Sequence, residues 1–575
     1  MTGTIVEQAR SFYDAVPYEV PEPDSSLFEL LDTAARLYPS RVALDYFGQT
    51  LSYAQVHDQV LRAARVLLDA GVRAGDTVAI ALPNCPQAFV AFYACMRIGA
   101  IAAQHNPLAP PAEVAGQLKR HGGRVAIVWE KCAAAYPLTT LDTVLTVDIS
   151  RTMPASQRVL LNLPVARARQ TRAQLRGAVP AGTVSWDRAT ASSAPIDSAF
   201  PLPSVDDLAV ILHTSGTNGV PKSAPLTHRN IGVNVNQCMF WVWKLHEGAE
   251  TFFSLLPYFH AFGLTFFSLL PYFHAFGLTF FLCAAVRKAA TQVLLPKFDA
   301  DMALDAHRRR PITFFVGVPP MFERILARAT QTNTDITSIR YSVAGAMPLS
   351  TALASAWEEA TGGMIVEGYG LSETAPVLAG APLSCRRRHG VLGLPFPSTQ
   401  LRLVSLDDET VDVEDGQPGE ILVKGPQVFS GYLNAPEETA RVFTSDGWFK
   451  TGDIGVNRDG FISMADRKKE LILSGGFNVY PSQVEDAIRS LPGVADVAVV
   501  GVPVSDATEE VTAAIIMERG VPPLTLEEVR AWAEKSIAHY ALPRQLVFIA
   551  ELPRNQMGKI LRRKVAKLVR EALGR

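Results

Sequence analysis

Short apolar runs recur along the chain. Val78-Ala-Ile-Ala-Leu82, Val125-Ala-Ile-Val128 and Leu208-Ala-Val-Ile-Leu212 each have the length and make-up of a buried strand. Phe89 to Ile98 is a helical stretch between the first two. This alternation over residues 26–145 predicts a parallel sheet with helices on its faces. A second alternating block runs from about 205 to 380, and residues 400–463 are strand-rich with Gly and Asp turns. From about 467 the pattern restarts with a strand, a helix from Pro481 to Leu491, a strand from Val494 to Val500, a further strand and a helix from Leu526 to Ile537. That order predicts a small α+β domain.

Two stretches break the pattern. Residues 151–176 carry six arginines and no acid around Val159-Leu-Leu-Asn-Leu-Pro-Val165. A solvated linker and a contact with an anionic membrane surface both fit this composition. The other stretch is a verbatim tandem repeat, in which Thr251-Phe-Phe-Ser-Leu-Leu-Pro-Tyr-Phe-His-Ala-Phe-Gly-Leu264 recurs at once as Thr265 to Leu278. No Asp, Glu, Lys or Arg lies between Glu250 and Arg287. The run exceeds the ~18 apolar residues of a membrane-spanning helix, yet each copy contains a proline and a histidine. One copy is long enough only for a buried strand and a turn, so the run is long because it is doubled.

The length, 575 residues, exceeds one simple core and implies two or more domains. The net charge of −2 gives no footing for nucleic acid. Cys85, Cys95, Cys132, Cys238, Cys283 and Cys385 form no CxxC pair, which argues against a zinc site or a disulfide framework. The amino terminus carries Glu7 and Asp14 without an apolar core, unlike a signal peptide, so cytoplasmic residence is the default expectation.

The chemistry-bearing stretch is His213-Thr-Ser-Gly-Thr-Asn-Gly-Val-Pro-Lys-Ser-Ala-Pro-Leu-Thr-His228. A glycine- and hydroxyl-rich loop leaving a strand offers backbone N–H groups, hydroxyls and one lysine to phosphate. A Walker loop would need glycine before Lys-Ser/Thr. Here Pro221 precedes Lys222 and removes a donor. A phosphate-binding loop of another kind and an ordinary Gly/Ser/Thr loop both remain on this stretch alone.

Further along come Tyr369-Gly-Leu-Ser-Glu373, Gly419-Glu-Ile421, Thr451-Gly-Asp453, Asp466-Arg-Lys-Lys-Glu470, Ser474-Gly-Gly-Phe-Asn-Val-Tyr-Pro481 and Pro553-Arg-Asn-Gln-Met-Gly-Lys559. With the loop, this ordered set resembles the adenylate-forming superfamily of acyl-CoA synthetases, luciferases and peptide-synthetase adenylation domains. It is most similar to bacterial medium- and long-chain fatty acyl-CoA ligases. The resemblance implies an α/β fold with a large N-terminal domain of parallel sheets layered with helices, a strand-rich subdomain and a small mobile C-terminal α+β domain. It places the AMP-binding domain at 1–466, the C-terminal domain at 467–575 and the hinge at Lys469.

It also implies the chemistry. A carboxylate attacks the α-phosphorus of ATP, pyrophosphate leaves, and the thiol of coenzyme A then attacks the acyl-adenylate. Thr214, Ser215, Gly216, Thr217, Gly219 and Lys222 are implied to hold the β- and γ-phosphates. Glu373 is implied to hold Mg²⁺, a hard cation suited to oxygen ligands. Ser372 would donate to the α-phosphate, and Tyr369 would stack on adenine beside Gly345, Ala346, Gly368 and Gly370. Asp453 would accept from the ribose hydroxyls, supported by Arg467. Lys559 would bridge carboxylate and α-phosphate, and the Ser474-Gly475-Gly476 loop would replace it for the thiol step. Asn218, Ser223 and Asn555 depart from the residues usual in these motifs. Taken singly, each position also fits an ordinary turn, helix cap or surface charge.

In the family, one copy of the repeated segment gives a strand, a loop whose histidine lies by the acyl site, and a helix. His260 and His274 are thus two candidates for one position. Copy two, which keeps the join to the helix Phe280-Leu-Cys-Ala-Ala-Val286, is expected to be the working copy. Copy one is then displaced, exposing Phe252, Phe253, Leu255, Leu256 and Phe259. The acyl wall is expected from Phe314 to Val318 and Ala344 to Ala346, with Gly317 and Gly345 leaving room for a chain. Three readings stay open: a fatty acyl-CoA ligase, a ligase loading an acyl carrier protein, and a binding protein impaired by the repeat. Peripheral contact with the inner membrane face through 151–176 and a homodimer also stay open.

Overall fold

The computed structural model describes residues 4–574 apart from 14, 215–221, 255–274, 475–476, 506–507 and 555–559, and apart from the side chains at 505 and 508. Two large sheets dominate. The first has seven strands in the spatial order Val184–Ser185, Thr143–Val147, Val125–Trp129, Thr77–Ala81, Ile101–Gln104, Leu208–Thr214 and Lys222–Thr227. All neighbours run parallel except the last pair, which forms an antiparallel ribbon. The second has nine strands: Leu394–Pro395, Val377–Gly380, Met364–Gly370, Tyr341–Gly345, Phe314–Gly317, Thr251–Ser254, Thr291–Leu294, Val42–Tyr46 and Gln49–Ser52. Its middle is parallel and its edges antiparallel.

The continuous apolar runs are explained by burial on both faces, as parallel sheets with covered faces require. The helix Pro86–Ile98 shows the same logic, since every one of its residues is buried. Pro86 starts it without losing an intrahelical donor, and Gly99 ends it at φ +71°. Its Tyr93 hydroxyl donates to the Leu282 carbonyl at 2.6 Å, tying it to the helix that leads into the nine-stranded sheet.

Residues 400–467 form the antiparallel sheet Gln400–Val404, Pro418–Lys424, Phe449–Arg458 and Phe461–Arg467. Beyond it, Val494–Ser505, Thr508–Met517 and Gln545–Phe548 form a three-stranded sheet, with helices Pro481–Arg489 and Leu526–Ala533 where the periodicity put them. Among the described residues, the large apolar cluster ends at Ile462, and two separate clusters follow, one from Ile472 and one from Ala498.

The repeat is resolved differently from expectation. Thr251–Ser254 of copy one is the strand, paired in parallel with Thr291–Leu294 and Phe314–Gly317. Phe252 and Phe253 are 0% and 2% exposed rather than displaced. Ala275–Gly277 of copy two then opens the helix. The chain takes its strand from one copy and its helix from the other. The physical reason lies upstream. The buried Glu250 pairs with Arg340 at 2.6 Å, and Thr251 N–H donates to Thr313 Oγ1 at 2.9 Å, so the residues joined to Glu250 enter the sheet. Leu255, Leu256, Phe259, His260 and His274 lie outside the described residues. The 151–176 stretch is no plain linker either, because Ala155–Leu161 and Ala166–Leu175 are helices.

Candidate active site

The strand Met364–Gly370 hands the Tyr-Gly-Leu-Ser-Glu motif to a one-turn helix, Ser372–Thr374. Thr374 Oγ1 donates to the Pro376 carbonyl at 2.6 Å and accepts the Leu371 N–H at 3.1 Å. A Cβ at Gly370 would stand 1.7 Å from the Pro376 carbonyl oxygen, so only glycine lets this turn close. Closure carries Glu373 inward to 8% exposure.

Glu373 meets a residue the sequence reading passed over. The Tyr432 hydroxyl donates to Glu373 Oε1 at 2.8 Å. The Lys222 ammonium stands 4.6 Å from the centre of the Tyr432 ring and is paired with Glu438. Burial pushes the Glu373 carboxyl up, while a backbone hydrogen bond, the Tyr432 hydroxyl and the Lys222 charge pull it down. A buried carboxylate raised by desolvation, near the Lys222 ammonium, is chemically suited to hold a hard divalent cation.

The second group forms around Asp453, which is 2% exposed. The Tyr369 hydroxyl donates to Asp453 Oδ2 at 2.7 Å, and Arg467 Nε is 3.1 Å from Oδ1. Asp453 and Arg467 face each other on antiparallel strands, so the sheet register itself makes this pair. Gly452, at φ +70°, turns the chain just before the acid, whose N–H donates to Thr451 Oγ1 at 3.1 Å. Burial, then the Asp453 charge, holds the Tyr369 hydroxyl well above its ordinary value. Asp453 also raises Glu373, so the two groups share one electrostatic neighbourhood.

Gly345 and Gly368 lie opposite each other in parallel strands. A Cβ on Gly345 would come within 2.7 Å of the Phe276 ring. Thus the space expected for an acyl chain at Gly345 is filled by Phe276, and that at Gly317 is closed by Phe315 and Phe322. Phe314 and Phe315 are core residues packed on Phe252 and Phe253. Ala346 is exposed at φ +63°. Thr214 pairs in register with Lys222 at the mouth of the ribbon.

Lys469 is exposed on a single turn, Lys468–Glu470. Lys468 pairs with Glu420 at 2.7 Å, toward the strand Pro418–Lys424. Glu470 pairs with Arg562, which also holds Glu485 at 2.7 Å in the C-terminal unit. The backbone at Lys469 therefore joins two separately anchored segments. Ser474 ends the strand Ile472–Ser474, and no described contact joins it to Asp453 or Glu373. Ser215, Gly216, Thr217, Gly219, His260, His274, Gly475, Gly476 and Lys559 lie outside the described residues.

Behind the other face of the ribbon His105 and His121 join His213, the first residue of the glycine-rich stretch. His105 Nε2 is 2.9 Å from His121 Nε2, and His105 Nδ1 is 3.0 Å from the Tyr136 hydroxyl. His213 Nδ1 is 3.0 Å from Ser223 Oγ. Burial lowers His121 to about 4 and His213 to about 3, and His105 falls well below the ordinary range. These residues are 16 and 92 positions apart in sequence, so no spacing pattern could have joined them.

Comparison with known proteins completes the picture. The AMP-binding enzyme family matches residues 31–433, and the AMP-binding enzyme C-terminal domain matches 483–559. A long-chain-fatty-acid–CoA ligase of Bacillus subtilis (strain 168) is 33% identical over 559 residues, 96% of each chain. A feruloyl-CoA synthase of Amycolatopsis sp is 32% identical over 535 residues, 93% of this chain and 97% of that one. Among solved structures, ATP-bound MatB from Rhodopseudomonas palustris superposes with a TM-score of 0.76 at 27% identity, covering 96% of this chain and 100% of that one.

Proposed function

The chain belongs to the AMP-binding enzyme family, and on that premise we propose that it activates a medium- or long-chain fatty acid with ATP and passes the acyl group to coenzyme A. The observation that carries this reading is the meeting of Lys222, Tyr432 and Glu373 beside Tyr369, Asp453 and Arg467. One side offers a cation and a metal-binding acid for the triphosphate. The other offers an acid whose two oxygens suit vicinal ribose hydroxyls. The fatty-acid assignment rests on the 33% identity to the Bacillus subtilis enzyme over 96% of both chains.

In this reading Glu373 would hold Mg²⁺, which would supply positive charge to the phosphates. Lys222 leaves Glu438 for the triphosphate, and Thr214 to Gly219 supply donors to it. Tyr369 packs on adenine and Asp453 takes the ribose. Preorganised charge and donors of this kind are what a phosphoryl-transfer transition state needs from a protein. Lys559 carries the carboxylate to the α-phosphate. Rotation about Lys469 then moves residues 467–575 relative to 1–466 and brings Ser474 to Gly476 into the thiol step, as a hinge at one loop residue allows.

The helices Ala155–Leu161 and Ala166–Leu175 favour a peripheral membrane contact. Val159 and Leu160 are 64% and 59% exposed, beside a surface cavity of about 270 Å³ lined in part by Arg151, Arg158, Arg172 and Arg176. Among the described residues no helix is long and apolar enough to cross a membrane.

The test is pyrophosphate release across carboxylic acids of graded length, with and without coenzyme A. Release that peaks with fatty acids and AMP formation that requires coenzyme A are expected. Release peaking with a hydroxycinnamate would move the substrate to aromatic acids. AMP formation only with an added acyl carrier protein would change the acceptor. In parallel, Lys559→Ala should abolish pyrophosphate release yet spare coenzyme A attack on a supplied acyl-adenylate; equal loss of both contradicts its role.

A further inference from the structure

We propose that His105, His121 and His213 form a binding site for a borderline divalent transition-metal cation of the zinc type, at the root of the phosphate loop. Each histidine offers one ring nitrogen, and the three nitrogens lie within 4.8 Å of one another. Two nitrogens bound to one tetrahedral zinc at ~2.05 Å stand about 3.3 Å apart. The observed 2.9 Å between His105 and His121 and the 4.8 Å limit bracket that spacing, so sub-ångström to ångström shifts complete the set. Three imidazoles with an open fourth position suit zinc and its neighbours and not Mg²⁺. The site is therefore chemically separate from Glu373.

Two observations beyond proximity point to a ligand. Among the described residues, His213 Nε2 is buried with no hydrogen-bond partner. A buried polar atom left unpaired is costly, and a cation would satisfy it. Outer partners also orient the rings as metal-bound histidines are oriented. Tyr136 holds His105 through Nδ1, leaving Nε2 to face inward, and Ser223 does the same for His213.

Two features oppose tight, permanent binding. The Gly123 N–H donates to His121 Nδ1 at 3.0 Å, so in the metal-free molecule His121 carries its proton on Nε2 and donates it to His105. Metal binding needs that proton moved to Nδ1 and the Gly123 bond released. The Arg120 guanidinium also lies close enough to lower the pKa of all three rings. Among the described residues its Nε and Nη2 are buried without partners. It opposes a bare dication and favours one carrying an anionic fourth ligand such as hydroxide or chloride. Both features make a reversible site. His213 adjoins Thr214, the first residue of the loop, so occupancy would bear on how that loop meets the triphosphate.

The test uses the full chain free of any histidine tag, in excess Mg²⁺ so that hard-cation sites are filled. Titration with Co²⁺ alone should give one ion per chain with the visible absorption of nitrogen-ligated cobalt, displaced by Zn²⁺. His121→Ala, at a half-buried position, should weaken binding more than 100-fold, beyond the ~10–100-fold cost of losing an outer partner. Ser223→Gly, which leaves all three ligands, should weaken it about tenfold. Absence of a stoichiometric site, or unchanged Co²⁺ affinity in both variants, overturns the proposal. A site that takes inorganic phosphate but no Co²⁺ also overturns it and assigns the cluster to Arg120. The cobalt readout stands whether or not the fatty-acid reading holds.

Discussion

The two faces of the ribbon Leu208–Thr214 and Lys222–Thr227 are built to opposite rules. Lys222 and Ser223 are consecutive, so their side chains leave opposite faces of the strand. On the Lys222 face, charge is kept and paired: Lys222 with Glu438, Glu373 with the Tyr432 hydroxyl. On the Ser223 face, charge is removed: three imidazoles are held neutral by burial and by the cation of Arg120. A paired charge can be exchanged for a ligand's charge at little cost in desolvation. A neutral imidazole offers a lone pair instead. The contrast shows how one two-stranded element presents phosphate chemistry on one side and nitrogen-donor chemistry on the other.

The strongest way to break this contrast is to remove the charge on the first face. Lys222→Ala should lower the rate of pyrophosphate release about 100- to 1000-fold, the usual cost of one preorganised transition-state donor. A loss under tenfold would place the triphosphate elsewhere. Tyr432→Phe keeps the ring under Lys222 and deletes only the hydroxyl on Glu373. A hydrogen bond to a charged group is worth ~1.5–3 kcal/mol, so kcat/KM should fall at least about tenfold, with a raised Mg²⁺ requirement. An unchanged Mg²⁺ dependence would reduce Tyr432 to a packing residue.

The second face is sharpened by pH. His121 and His213 titrate at about 4 and about 3 in the folded chain, below the ordinary 6.5. Their pKa values are depressed, so the stability they support is present above pH 6.5 and is lost as pH falls through about 4 and then about 3. Each withheld proton gives a slope of ~1.4 kcal/mol per pH unit. With chelator present, the unfolding midpoint should drop from pH 7 to pH 5 more steeply in the natural chain than in His121→Gln. Identical pH profiles would show that these rings, flanked by Arg120, Tyr136 and Ser223, are not held neutral.

The smallest effect is expected away from both faces. Since the strand comes from copy one and the helix from copy two, 20 residues separate elements that one copy would join with six. Loop-closure entropy for that difference is about 1 kcal/mol. Deleting 251–264 lets Thr265 to Ser268 supply an identical strand and should raise the unfolding midpoint slightly, with higher soluble yield. No gain in either would mean that the duplication carries no penalty.

Much of this molecule was legible in the chain. The parallel sheets follow from unbroken apolar runs such as Val125 to Val128, and the C-terminal helices follow from their periodicity. Tyr369, Glu373, Asp453 and Arg467 were named because each sits in a motif of the ordered set that resembles the adenylate-forming superfamily. Tyr432 and Glu438 sit in a tract, Gly431-Tyr-Leu-Asn-Ala-Pro-Glu-Glu438, that reads as a turn and a helix start. Nothing local tells that the tyrosine reaches Glu373, 59 residues away.

The sequence alone determined the strands, the order of the motifs and the chemistry they resemble, because these depend on local propensity, burial pattern and residue type. Which copy of the repeat enters the sheet was settled by packing, since identical residues have identical propensity and the choice falls to the Glu250–Arg340 anchor beside them. Only the tertiary structure brought Tyr432 to Glu373 and the three histidines to one place. Those meetings depend on how the ribbon, the helix Pro111–His121 and the turn at Tyr432 pack, and packing couples residues with no regard to their distance along the chain.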